Sequence, residues 1–175
     1  MTHHQVELTV NGSKVSMQVE PRQSLADALR SQLGLTGTHL GCEHGVCGAC
    51  TIIVDGEPVR GCLMLGVQAE GAEVLTVEGV SPSEGLSPIQ EALREHHGLQ
   101  CGFCTPGMVM ALHHLFTITP SPSEDEINEA ISGQLCRCTG YQGIVSAAKA
   151  VAQKQRENRS HDTTINGKEN SCRSA

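Results

Sequence analysis

HLGCEHGVCGACTIIVDGEPVRGC, His39 to Cys62, places four cysteines and five glycines in 24 residues of a chain that holds nine cysteines and one tyrosine. The four are Cys42, Cys47, Cys50 and Cys62, at intervals C-x4-C-x2-C-x11-C. Disulfides, zinc and an iron–sulfur cluster compete for such a group. Disulfides need an oxidising compartment. The opening MTHHQVELTV lacks the basic region, apolar segment and small-residue cleavage site of a secretion signal. No apolar run approaches the roughly 18 residues of a membrane span, so a reducing, cytoplasmic setting is expected. Zinc sites favour paired C-x2-C knuckles, whereas C-x4-C-x2-C with a distant fourth cysteine is the plant-type [2Fe–2S] spacing. A Rieske centre needs two histidine ligands; Cys42-Glu43-His44 offers one, and no second cysteine–histidine pair follows. The first quartet therefore reads as the ligands of a [2Fe–2S] cluster. Gly41, Gly45 and Gly48 agree, because a loop wrapping a compact ion needs backbone angles closed to most residues and amides free to face sulfur.

Outward from that loop the chain divides in two. VELTV and KVSMQV alternate apolar and polar residues around Asn11-Gly12, a hairpin signal. SLADALRSQLG predicts a helix with Ser24 as N-cap, Leu25, Ala28, Leu29 and Leu33 on one face and Gly34 as the stop. TIIVDGEPV and AEVLTVEG look like further strands. The Gly-, Pro- and Ser-rich Glu78–Pro88 then marks a linker. Beyond it SPIQEALREHHG, TPGMVMALHHLF, SEDEINEAISGQL and GYQGIVSAAKAVAQ carry helical spacing. Ser123 with Glu126 forms a capping box, and Thr105-Pro106 reads as an N-cap followed by proline at the first helical position. The predicted domains are residues 1–80, mainly β with one packed helix, and 81–152, four short helices. Residues 153–175, polar and aperiodic, read as a disordered tail with Cys172 as a bystander thiol. With two Phe, one Tyr and no Trp, each half has little core and leans on a bound metal as a staple.

The helical half has its own quartet, Cys101 and Cys104 in QCGFC and Cys136 and Cys138 in LCRC. Its C-x2-C-x31-C-x1-C spacing alone suits zinc or iron–sulfur equally. Cys104 and Cys138 each precede a predicted helix start, whose partial positive charge favours an anionic centre. A zinc tetrathiolate is anionic too, so both readings stay open on spacing.

The order of both quartets, GCEHGVCGACTIIVDGEPVRGC followed by QCGFCTPGMVM and GQLCRCTGYQGIV, closely resembles the small iron–sulfur subunit of molybdenum hydroxylases, the xanthine dehydrogenase and aldehyde oxidoreductase family. The likeness runs from about Val6 to Ala152. It implies an α+β chain: an N-terminal β-grasp domain of plant-type ferredoxin kind and a C-terminal four-helix domain, each with one [2Fe–2S] cluster. It also implies a large partner subunit with molybdenum–pterin and a medium one with FAD. Carried over residue by residue, the likeness places Gln100 and Cys138 against the pterin.

Two-electron oxidation at molybdenum must leave through one-electron centres, so the family implies a path from molybdenum to the helical-domain cluster, then the β-domain cluster, then FAD. No residue of this chain is a candidate for substrate chemistry. His96-His97 and His113-His114 fall in predicted helices and read as solvated or packed. No glycine-rich phosphate loop is present, in keeping with FAD elsewhere. The formal charge is −7 with cysteines neutral; two oxidised clusters take it to roughly −11. Non-specific nucleic-acid binding is not expected of such a surface.

Overall fold

The structure, a computed structural model, describes residues 2–169. It opens with a five-stranded mixed sheet in the order β2-β1-β5-β3-β4. Strands β1 (His4–Val10) and β2 (Ser13–Val19) form an antiparallel hairpin. Its turn, Asn11-Gly12, has φ of 49° and 79°, the left-handed pair that an Asn-Gly turn supplies at least cost. The predicted alternation is realised: Val6, Leu8 and Val10 are buried on one face with Met17 and Val19 beside them. Strands β3 (Thr51–Val54) and β4 (Glu57–Arg60) form a second hairpin around Asp55-Gly56. Strand β5 (Glu73–Leu75) joins the hairpins, parallel to β1 and antiparallel to β3.

Helix α1 (Leu25–Gln32) starts where expected, with the Ser24 side chain accepting from the Asp27 amide. Leu25, Ala28 and Leu29 are fully buried in the core with Val6, Leu8, Ile52 and Val74, so a helix grasped by a mixed sheet makes up the first half. This is the ferredoxin-like α+β arrangement implied by the family resemblance.

One stretch departs from expectation. Only Glu73–Leu75 of AEVLTVEG is strand; Val77–Val80 turns into a single helical turn, α2. Val77 and Val80 pack on the helical core, and that burial outweighs the β preference of valine.

Four helices make up the rest: α3 (Pro88–Glu95), α4 (Thr105–Ile118), α5 (Glu124–Ser132) and α6 (Gln142–Glu169). Their shared core contains Leu93, Met108, Leu112, Ile127, Ile131, Ile144 and Ala148. The Ser123–Glu126 capping box is formed in full. The cap expected at Thr105 is not: Thr105 is already helical, Cys104 takes the cap position, and the buried Thr105 hydroxyl has no partner among the described residues. Helix α3 ends at Glu95, so His96 caps its C-terminus and His97 leaves it with φ of 53°, outside the helix in which both had been placed.

The expected disordered tail is corrected in its first part. Helix α6 buries Ile144, Ala147, Ala148, Val151 and Ala152, then continues as a polar helix to Glu169. Gln, Lys, Arg and Glu are good helix formers that need no core to extend an established helix. Gln153 donates to Glu157 at 2.9 Å, one turn on. Residues 170–175, with Cys172, lie outside the described residues.

Candidate metal centres

The first quartet sits on the loop between α1 and β3, with Cys62 just beyond β4. Cys50 is buried, while Cys42, Cys47 and Cys62 are partly exposed. The loop folds back so that the Cys47 amide donates to Cys42 Sγ at 3.4 Å. The thiols of Cys50 and Cys62 meet across the β3–β4 hairpin. Backbone amides of residues 44, 46 and 47 gather on Cys42, and their donation brings its thiol down to about 6. Burial instead pushes Cys50 up to about 11.

The second quartet comes from two loops. Cys101 and Cys104 lie between α3 and α4, Cys136 and Cys138 between α5 and α6. Cys138 and Cys101 are exposed, with their sulfurs 3.5 Å apart. Cys104 and Cys136 form the inner pair. Burial raises Cys104 to about 12. Burial acts on Cys136 in the same direction, but hydrogen bonds from Thr139, by side chain and backbone, outweigh it and hold that thiol low. Tyr141, with φ of 66°, braces the loop that leads into Cys136. Its hydroxyl accepts from the Cys136 amide at 2.9 Å and donates to the Gln134 carbonyl at 3.0 Å.

The eight sulfurs therefore meet two by two: Cys42 with Cys47, Cys50 with Cys62, Cys101 with Cys138, and Cys104 with Cys136. Among the described residues no three His, Cys, Asp or Glu side chains converge on a single-ion position. A mononuclear zinc site draws its four ligands around one ion, whereas a two-iron cluster takes two thiolates at each iron. The donor set and its pairing fit the latter.

The two ligand loops touch. The Leu135 amide donates to the Cys47 carbonyl at 2.8 Å. His39 Nδ1 lies 2.8 Å from the Phe103 carbonyl, and the two rings stack at 4.9 Å. Behind the loops lies a polar lock that sequence reading missed. Gln134, 4 % exposed, reaches across to Thr51 and Gly48. With its amide oxygen turned toward the donors, that oxygen accepts from Arg60 Nη1 at 2.9 Å and its nitrogen donates to the Gly48 carbonyl at 2.8 Å. Arg60 Nη2 donates to the Gly133 carbonyl at 2.7 Å. The backbones come so close that a Cβ at Gly107 would collide with the Gly48 carbonyl, and one at Gly48 would sit 2.6 Å from the Gly133 carbonyl.

Gln100 is exposed, well past the end of α3, and has no hydrogen-bond partner among the described residues. It caps no helix. With Cys101 and Cys138 it forms one exposed edge of the second quartet. His113 and His114 lie on α4 away from both quartets, and burial holds His113 below the usual histidine range. Among the described residues no helix is long and apolar enough to cross a membrane.

Comparison with known proteins gives two family matches along the chain. Residues 8–76 match the 2Fe-2S iron-sulfur cluster binding domain family, and residues 76–149 match the [2Fe-2S] binding domain family. The chain is similar to caffeine dehydrogenase subunit gamma of Pseudomonas sp. strain CBB1, 56% identical over 155 residues, covering 87% of this chain and 93% of the relative. It is 53% identical over 143 residues to the nicotine 6-hydroxylase small subunit of Paenarthrobacter nicotinovorans, covering 82% and 86%. Among solved structures, quinoline 2-oxidoreductase from Pseudomonas putida 86 contains a chain with TM-score 0.85 and 51% identity, matched over 90% of this chain and 98% of that one.

Proposed function

Because the chain belongs to the small iron–sulfur subunit family of the molybdenum hydroxylases, the group of xanthine dehydrogenase and aldehyde oxidoreductase, we propose that Cys42, Cys47, Cys50 and Cys62 hold one [2Fe–2S] cluster and Cys101, Cys104, Cys136 and Cys138 the other. The chain is an electron-transfer subunit of a multi-subunit oxidoreductase, passing single electrons between redox centres through its two clusters. A one-electron centre splits the electron pair of substrate oxidation into single steps. The protein holds the two sites in fixed register, sets the hydrogen bonds at their sulfurs, and offers each an edge to a partner.

The observation that carries the relay is the seam between the loops. The Leu135–Cys47 hydrogen bond joins a ligand of the first quartet to the neighbour of a ligand of the second. We place the large molybdenum–pterin subunit against Gln100, Cys101 and Cys138, the exposed edge of the helical domain, with the Gln100 amide offering donors and an acceptor to the pterin. The medium FAD subunit then meets the β-domain, where Val46, Leu63 and Leu65 stand exposed around the first quartet. Residues 1–80 and 81–152 are the two cluster-bearing units of this relay. The subunit works in the cytoplasm, where thiols stay reduced.

The three relatives described above, each more than 50% identical, are parts of enzymes named for caffeine, nicotine and quinoline. All three are nitrogen heteroaromatics, and we assign the holoenzyme a substrate of that class, bound on the large subunit. Co-purification of the tagged chain from its native host tests the assembly. Two partners carrying pterin and FAD, with hydroxylation of a nitrogen heteroaromatic, are expected. A chain that purifies alone with full iron would mean a free-standing carrier instead.

A further inference from the structure

Arg60 is a cation set into the seam between the two domains. It ends β4, two positions before Cys62, and reaches over the loop that leads to Cys136. Its guanidinium donates to the Thr51 hydroxyl, to the Gly133 carbonyl and to the Gln134 amide oxygen. All these acceptors are neutral. Arg60 forms no ion pair with any carboxylate among the described residues. Glu126 and Glu129 line the same cavity, but Glu126 is turned back onto Ser123. A partly buried guanidinium without a direct ion pair is costly; the neutral fork of acceptors satisfies its hydrogen bonds and leaves its charge unpaired at contact distance.

Arg60 bonds residues that neighbour both quartets: Thr51 follows Cys50 directly, and Gly133 and Gln134 lie just ahead of Cys136. Each oxidised cluster with its four thiolates carries about −2, and reduction adds one more negative charge. The lock that holds Arg60 also holds the loops together, so the cation cannot follow one domain and leave the other. We propose that Arg60 is a positioning residue for electron transfer, its fixed positive charge serving as the shared counter-ion of both clusters. It stabilises each reduced state and offsets the repulsion between an electron on one cluster and an electron on the other. The proposal rests on the assignment of the eight cysteines to two clusters.

The test is a redox titration of the intact complex, followed through the spin signals of the two reduced clusters, with Arg60→Gln and Arg60→Lys. Arg60→Gln keeps hydrogen-bond capacity and loses the charge; both midpoint potentials are expected to fall together. Arg60→Lys keeps the charge and loses the planar fork; both potentials are expected to stay near wild type. Thr51→Val removes an acceptor and leaves the charge, and should also leave the potentials in place. The proposal is overturned if Arg60→Gln leaves the potentials unmoved or shifts only one. It is equally overturned if Arg60→Lys or Thr51→Val reproduces the fall, since the lock and not the charge would then be responsible. Arg60→Met, which keeps the length of the side chain and loses the charge, is titrated in parallel; both potentials are expected to fall as in Arg60→Gln, and unmoved potentials overturn the proposal. The wild-type titration separates this from the underlying assignment: a single spin signal defeats the two-cluster reading, whereas two signals indifferent to Arg60 defeat only the role given to Arg60.

Discussion

The amide of Leu135 donates to the carbonyl of Cys47 at 2.8 Å, so a cysteine of the first quartet is hydrogen-bonded to the residue beside a cysteine of the second. The sheet and the helical bundle touch at their cysteine loops, and that bond joins the two loop backbones directly. Anything that parts the loops should therefore weaken communication between the sites before it unfolds either domain.

Gly48 gives the sharpest case. Its φ is +77°, and a Cβ would lie 2.6 Å from the Gly133 carbonyl. Gly48→Ala should cost roughly 1–3 kcal/mol through backbone strain alone, with the clash added. We expect a lower melting temperature and a weaker magnetic interaction between the two reduced clusters, both signals being retained. An unchanged interaction would show that the contact does not set the separation of the clusters.

The metal-free protein should show a fixed order of thiol reactivity. Amide donation brings Cys42 down to about 6, while burial lifts Cys50 to about 11 and Cys104 to about 12. The thiolate is the nucleophile. Cys42 is thiolate above about pH 6 and protonated below it; Cys50 and Cys104 stay protonated through the neutral range. Peptide mapping after brief alkylation at pH 7.5 should find Cys42 modified first and Cys50 and Cys104 last. The Cys42 rate should drop as pH falls through 6. Faster labelling of Cys50 than of Cys42 would contradict the loop geometry.

Much of this architecture is legible in local sequence. Asn11-Gly12 announces the first hairpin, Ser24 and Gly34 bound α1, and Ser123 with Glu126 caps α5, because each signal acts within a few residues of itself. The first quartet is legible because its spacing is the plant-type one; the second, open between zinc and iron–sulfur on spacing, is read only through the family resemblance. Gln134 and Arg60 were not legible, since their meaning lies in partners that the chain brings from far away: Gln134 contacts Thr51, 83 positions earlier. Arg60 in VDGEPVRGC looks like any surface cation at a strand end. The short helix α2 was missed because Val77 and Val80 find their burial on the other domain. The polar end of α6 was missed because it has no apolar stripe to reveal it.

Gln100 offers a test of the molybdenum-facing edge. It is exposed and unpartnered among the described residues, so its removal takes nothing from the fold. Gln100→Ala should leave iron content and subunit assembly intact. It should slow substrate-driven bleaching of the helical-domain cluster roughly two- to tenfold, the range of one hydrogen bond, or reduce pterin retention. Rapid mixing with parallel pterin analysis checks this. Wild-type bleaching at full pterin occupancy would remove Gln100 from the contact.

The central claim is that eight cysteines form two independent two-iron sites, and metal analysis joined to spin resonance tests it most directly. The natively loaded chain should contain about four iron and four acid-labile sulfide, and should show two distinguishable signals on reduction. Cys47→Ser should erase one signal and leave the other. Zinc in place of iron, a single signal in the wild type, or survival of both signals in Cys47→Ser would contradict the account.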